Sequence, residues 1–281
     1  ALLALAGAFA MSAPVPPLLR VEGLTKHFGA GPVVRAVEDV SCTLERGETL
    51  GMVGESGSGN SPIGRLLLRL IEPTAGRVEY EGQDLCALSA SELRRFRRRM
   101  QMVFQDPFAS LNPRMSVGEA LSEPIRLHRG LSKAQALEEA GRMLERVGLT
   151  REHLGRYPRA FSGGQRQRVA IARALASEPG FIVADEPVSA LDVSIQAEVL
   201  NLLQDLRRDL GLSILFISHD LSVVELISDR VMVLYLGRVM ELAPTQELFA
   251  APAHPYTAAL MDAAPGAPRR GRARVSGYLH S

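Results

Sequence analysis

The chain has 281 residues, of which 46% are apolar and 22% charged, with a formal net charge of +1. That length holds one large domain or two small ones, and the near-neutral balance excludes a global pull toward nucleic acid or anionic membrane. Its two cysteines, Cys42 and Cys86, stand in no C-x-x-C spacing; they suggest neither a disulfide framework nor a zinc site and fit a reducing compartment.

The opening ALLALAGAFA is apolar but well short of the roughly 18 to 20 residues that span a bilayer. It lacks a charged n-region and is followed by Met11. Residues 1–17 are therefore set aside as a disordered or non-native extension, and the rest is expected to be soluble. RVEGLTKHF and VRAVEDVSCTL predict strands separated by the turn GAGP. ETLGMVG is a short apolar run entering GESGSGNSPIGR, and IGRLLLRLI leaves it at helical spacing. Strand, glycine loop and helix are the context of a phosphate loop. GRVEYEGQDL predicts another strand with a turn. Ser89 and Glu92 form a capping box ahead of LRRFRRRM. Its arginines (Arg94, Arg95, Arg97, Arg98 and Arg99) read as a solvent-facing helix.

MQMVFQ predicts a strand, after which residues 106 to 160 are helical with Pro and Gly breaks and no strand pattern. This predicts an inserted helical subdomain. RVAIARALASEP reads as a helix, FIVADEP as a buried strand ending in two acids, and IQAEVLNLLQDLRRDLG as a helix. SILFIS is a second buried strand, followed by a helix over Leu221 to Ser228 and the hairpin VMVLYLGRVMELA. Buried apolar strands alternating with helices predict a mostly parallel sheet. From Pro244 the chain is a Pro/Ala-rich extension whose arginines (Arg269, Arg270, Arg272 and Arg274) read as a solvated run.

Asp185 and Glu186 fall at the carboxyl end of a buried strand, the edge where open α/β sheets bind ligands. Adjacent acids there suit Mg2+ organisation and water activation in phosphoryl chemistry; the plainer alternative is an acid capping the next turn. FSGGQRQRVAIARAL opens a helix with two glycines, so backbone N–H groups and the helix dipole face any anion placed there. The plainer alternative is a Gly-rich helix entry. His219 follows SILFIS on the same edge as Glu186, and Gln105 follows MQMVF; each alone reads as a structural residue.

Taken in order, these segments resemble the nucleotide-binding subunit of an ABC transporter over residues 18 to about 265. The resemblance implies an α/β fold: a RecA-like P-loop ATPase core (18–105 and 166–243) with an antiparallel β subdomain. It also implies a helical signature subdomain (106–165) and a C-terminal extension (244–281). Phe28 takes the place of the aromatic that stacks on adenine. The Walker A position runs through Gly54, Glu55, Ser56, Gly57, Ser58, Gly59, Asn60 and Ser61 to Pro62. Ser162, Gly163, Gly164 and Gln165 form the signature motif that completes a partner's ATP site. Asp185 and Glu186 match the Walker B acid and the catalytic carboxylate; Ser189 and Asp192 lie in the D-loop, and His219 is the switch histidine. Ser61, Gln105 and Asp185 would hold Mg2+, and Gln105 also links the site to the permease. The implied partners are a second ATP-binding subunit, two transmembrane permease subunits and, indirectly, a solute-binding protein, with no nucleic acid. FQDPFASLNPRM, ADEPVSALDVSIQAEVLNLL and AHPYTAALMDAAP resemble the dipeptide and oligopeptide importers and related nickel importers, which are prokaryotic and work at the cytoplasmic membrane face. The tail carries no cysteine, so no iron–sulfur cluster is supported there.

The chain departs from the family's G-K-[ST] pattern: Asn60 replaces the lysine that reaches the β- and γ-phosphates, and Pro62 lacks an N–H. Asn60 still donates a hydrogen bond but carries no charge, so ATP binding is expected to outlast hydrolysis. Pro62 is expected to compound the defect unless the helix starts about one turn late. The alternative is a subunit that does not hydrolyse ATP and donates its signature motif to a competent partner. A soluble repair or translation ABC protein, which usually carries tandem cassettes, fits less well, and a decaying gene product is a further reading.

Overall fold

The structure is a computed structural model that describes residues 16–29, 33–55 and 58–263. β1 (Leu19–Phe28) and β2 (Val34–Leu44) pair antiparallel, and β3 (Thr49–Gly54) leads into α1 (Asn60–Leu67). β4 (Ala75–Tyr80), β5 (Gln83–Asp84) and α2 (Ala90–Phe96) precede β6 (Met100–Val103). Only helices follow until β7: α3 (Pro107–Ser110), α4 (Val117–Arg129), α5 (Lys133–Arg146), two 3-10 turns and α6 (Gly163–Leu175). β7 (Phe181–Asp185), α7 (Val193–Leu210), β8 (Ser213–Ile217) and α8 (Leu221–Ile227) then alternate. β9 (Arg230–Tyr235) and β10 (Arg238–Pro244) form the hairpin, and α9 (Thr245–Ala250) and α10 (Pro255–Ala263) follow it.

The strands form two sheets. The smaller is antiparallel, in the order β2-β1-β4-β5; the larger runs β10-β9-β3-β8-β7-β6, parallel from β9 to β6 with β10 antiparallel at its edge. Every residue of β3, β7 and β8 is buried, as expected of parallel strands covered on both faces. Their alternation divides two cores. Val53, Ile182, Ala184, Ile214 and Phe216 face the helices of the 107–175 region, while Met52, Phe181, Val183, Leu215 and Ile217 face the small sheet and α1.

Caps fix where the helices start. Ser89 and Glu92, Ser116 and Glu119, Ser132 and Gln135, and Ser162 and Gln165 each form a reciprocal capping box. Two sequence expectations are corrected. α1 stops at Leu67, because Arg69 turns to a left-handed φ of 48°. α2 stops at Phe96, and Arg97–Arg99 is a 3-10 turn rather than a solvent-facing helix. Arg97 donates to the Arg69 carbonyl at 2.7 Å, and Arg99 pairs with Glu81 while stacking over Tyr80 and Phe96. Among the described residues, the extension after Pro244 holds two short helices, from which Phe249, Tyr256, Leu260 and Met261 pack onto the core. The tail arginines lie outside the described residues.

Candidate functional site

The carboxyl ends of β3, β7 and β8 place the chemistry on one edge of the large sheet. Gly54 closes β3 and Glu55 follows it; Ser56 and Gly57 lie outside the described residues. Gly59 is the N-cap of α1 at φ 100°, with Ala36 O 2.4 Å from where a Cβ would stand; only glycine fits that turn. Ser58 is buried, and its carbonyl accepts a 2.8 Å bond from the Gly237 amide in the turn between β9 and β10. Sequence reasoning missed this outside support, since nothing in the local pattern of LGR reveals a contact so distant in the chain.

Asn60 is the first helical residue. Its Nδ2 donates to the Gly54 carbonyl at 3.3 Å, and its Oδ1 accepts from Ser58 Oγ at 3.0 Å. The side chain thus ties the loop to itself. Pro62 is the third residue of α1, so the late helix start that would have put it at the first helical position does not occur: the helix begins at Asn60, and its first i→i−4 bond runs from the Ile63 amide to Gly59 O. The first-turn N–H groups of a helix have no intrahelical partner, so proline breaks no helical hydrogen bond here.

Ser61 Oγ donates to Asp185 Oδ1 at 3.0 Å. Asp185 is 2% exposed, and its carboxyl is held above the usual range. Burial is the main cause and the adjacent Glu186 charge adds to it, while the Ser61 bond and Arg65 oppose it. A hydroxyl and a carboxylate are hard oxygen donors of the kind that bind Mg2+ alongside substrate phosphates, so this pair fits that ion. Among the described residues no group of three or more His, Cys, Asp or Glu is arranged to hold a metal ion.

Glu186 sits at φ 45°, left-handed backbone uncommon for a non-glycine residue and frequent at functional sites. Its amide donates to Ile217 O at 2.9 Å, which turns the carboxylate out past the strand end. There Gln105 Nε2 donates to Glu186 Oε2 at 2.8 Å, and His219 Nδ1 lies 3.3 Å from Glu186 Oε1. Ser189 Oγ donates to the Glu186 carbonyl at 3.1 Å, and Asp192 is the N-cap of α7. Gln105, Glu186 and His219 therefore form one polar group, next to the Ser61–Asp185 pair. Phe28 stands at the end of β1, 41% exposed, with Lys26 Nζ 5.0 Å from its ring centre.

The fourth set lies on α6. Ser162 Oγ accepts from the Gln165 amide at 3.3 Å, and Gln165 Oε1 accepts from the Ser162 amide at 3.1 Å. The S-x-x-Q pattern could have announced this capping box from sequence. Gly163 and Gly164 fill the first two helical positions, where backbone amides point out of the helix toward any anion.

A phosphate loop between a buried strand and a helix, acids at the end of β7 in the same sheet, and a capped Gly-Gly helix together define an ATP-binding cassette. Comparison with known proteins agrees. The ABC transporter family model matches residues 37–189, and the model for the oligopeptide/dipeptide transporter C-terminal region matches residues 240–277. A Brucella ovis protein whose name proposes peptide import ATP binding is 59% identical over 250 residues, 89% of this chain and 79% of the relative. The dipeptide transport ATP-binding protein DppF of Escherichia coli is 51% identical over 275 residues, 94% of this chain and 82% of DppF. Among solved structures, the ATP-binding cassette MJ0796 bound to ADP and Pi matches with TM-score 0.74 at 30% identity, covering 81% of this chain and 98% of that one. The chain belongs to the ABC transporter ATP-binding family. Among the described residues, no helix is long and apolar enough to cross a membrane.

Proposed function

We propose that the chain is the ATP-binding subunit of a prokaryotic peptide importer whose own Walker A site is impaired. It works at the cytoplasmic membrane face, paired with a second ATP-binding subunit and coupled to two permease subunits that receive solute from a binding protein. The observation that carries the ATPase reading is the Gln105–Glu186–His219 group beside Ser61–Asp185. Relatives named for peptide import, at 51–59% identity, support the substrate class.

Glu186 is placed to accept a proton from the attacking water, and His219 and Gln105 hold its two oxygens in orientation. Ser61, Gln105 and Asp185 would hold Mg2+, which when bound neutralises charge on the phosphates. The impairment rests on Asn60. The γ-phosphoryl gathers charge in the transition state, and Asn60 offers an uncharged amide already bonded to Gly54 and Ser58. Loss of one group that stabilises transition-state charge lowers turnover by about a hundredfold to a thousandfold.

A second reading, a non-hydrolysing subunit serving a competent partner, is favoured by the capped Gly163–Gly164 helix entry, which carries no comparable substitution. Mg–ATP turnover by the native chain beside an Asn60→Lys/Pro62→Thr variant tests the impairment. A silent native chain and an active double variant are expected; equal rates would overturn it. Adding the partner subunit then separates the readings, since activity abolished by a variant in the partner's Walker lysine places all hydrolysis in the partner's site.

A further inference from the structure

The hairpin of β9 and β10 turns through two residues, Leu236 and Gly237, since Tyr235 and Arg238 are register partners. Both hold positive φ, 45° and 78°, as in a type I′ turn. A leucine is rarely held there, and Leu236 is 66% exposed, so its own side chain does not pack the turn in place. Gly237 fixes it instead, through backbone groups bonded to two different segments. Its amide donates to Ser58 O at 2.8 Å, just ahead of α1. Its carbonyl accepts the Glu38 amide at 2.9 Å, on β2 of the small sheet. Beside the turn, Tyr235 stacks on Tyr256 of α10, ring centres 4.5 Å apart.

The three segments meet backbone to backbone. A Cβ on Gly237 would stand 2.7 Å from Ala36 O and 3.1 Å from Val37 Cα. A Cβ on Gly59 would stand 2.4 Å from Ala36 O and 3.3 Å from Gly237 Cα. Only glycine permits so close an approach of main chain to main chain. Each bond of Gly237 then continues toward one end of the site. Ser58 Oγ donates to Asn60 Oδ1 at 3.0 Å, and Ser61 follows with its bond to Asp185. On the other side, Glu38 Oε2 lies 3.0 Å from His27 Nε2, and His27 adjoins Phe28 at the end of β1. The residues expected to meet the phosphates follow a strand of the large sheet, and the residue expected to meet the base lies in the small one. Gly237 bridges the two.

We infer that Gly237 is a positioning residue that sets the spacing between Phe28 and the start of α1, and so the affinity for ligands long enough to use both ends. The inference rests on the nucleotide reading above, and it gives the hairpin turn a part in selecting a nucleotide over a bare polyphosphate. A ligand held at two points gains from the second only when the spacing fits. An adenine nucleotide would use both ends; an inorganic polyphosphate would use only the α1 end. Disturbing the turn should weaken the first and spare the second.

The test uses the full chain in the Asn60→Lys/Pro62→Thr background, with and without Gly237→Ala. A second variant inserts one glycine between Gly237 and Arg238, lengthening the turn without adding a side chain; it decides alone if Gly237→Ala does not fold. Titration calorimetry should show the Kd for Mg–ATP raised by about tenfold, with that for Mg–tripolyphosphate within about twofold. Amide hydrogen exchange without ligand should quicken at Glu38 and at position 237 by about threefold to tenfold, the worth of one hydrogen bond. Equal weakening of both ligands would overturn the inference, because the turn would then support the phosphate end alone. Unchanged affinity for both would overturn it too. If the background with its native turn binds neither ligand, the nucleotide reading falls and the inference with it.

Discussion

Two helix entries in this chain present leading backbone amides at their N-termini, and they differ in an instructive way. α6 opens with Gly163 and Gly164, and its third amide, on Gln165, is taken by the Ser162 hydroxyl. α1 opens with Asn60 and Ser61, and its third residue, Pro62, has no amide to offer. Each helix thus presents two leading amides and withdraws the third, one by a cap and the other by a proline. The backbone share of anion binding is comparable at both ends. What separates them is charge. Under the proposed function the α6 entry would act through its leading amides, whereas the loop ahead of α1 also calls for a cation, and Asn60 brings none. Under the proposed impairment, Asn60 carries almost all of the loss and Pro62 is nearly neutral, against the sequence expectation that both would matter.

Single substitutions can break this asymmetry. Asn60→Lys alone should raise Mg–ATP turnover of the chain by about a hundredfold or more, read by phosphate release; no gain would mean that the defect lies elsewhere. At the other entry, a Cβ on Gly164 would stand 2.4 Å from Ile195 Cγ2 on α7. Gly164→Ala should therefore displace α6 and destabilise the chain by about 1–3 kcal/mol, measured by denaturant unfolding. Gly163→Ala, whose Cβ would meet only Leu191 Cδ2 at 3.5 Å, should leave stability nearly unchanged. Ser162→Ala removes the cap at a cost of about 1 kcal/mol. It should lower ATPase of a mixed dimer with a competent partner by about fivefold, with nucleotide affinity at this chain's own loop unaltered. The smallest effect is expected for Pro62→Thr alone. Titration with a fluorescent ATP analogue should show affinity within about threefold of the native chain, since only one loop amide is regained.

Much of this was legible in sequence where one local rule decides the outcome. β3, β7 and β8 read as unbroken apolar runs because both their faces are buried. Ser89 and Glu92 announced a helix start through capping chemistry contained within four residues. The placing of Asp185 and Glu186 followed from the strand that ends there. Contacts between distant segments were not legible. Gln105 and Glu186 are 81 positions apart, and only the sheet order joins them. The Gly237–Ser58 bond and the Tyr235–Tyr256 stack likewise depend on how the hairpin lies against β3. Arg97 and Arg99 misled because a basic run carries no sign of which members fold back onto Arg69 O and Glu81.

The position of β3 also bears on how the chain is made. Thr49–Gly54 lies inside the large sheet with β8 and β9 as its neighbours. Those strands start only at Ser213 and Arg230. During translation the phosphate-loop strand therefore leaves the ribosome with no partner and waits while most of the chain is added. α4 and α5 can pack on each other as soon as both emerge. Non-local pairing of this kind is slow, and it leaves apolar backbone edges open to aggregation in the meantime. The strand that leads into the phosphate loop thus stays unpaired until the last strands arrive.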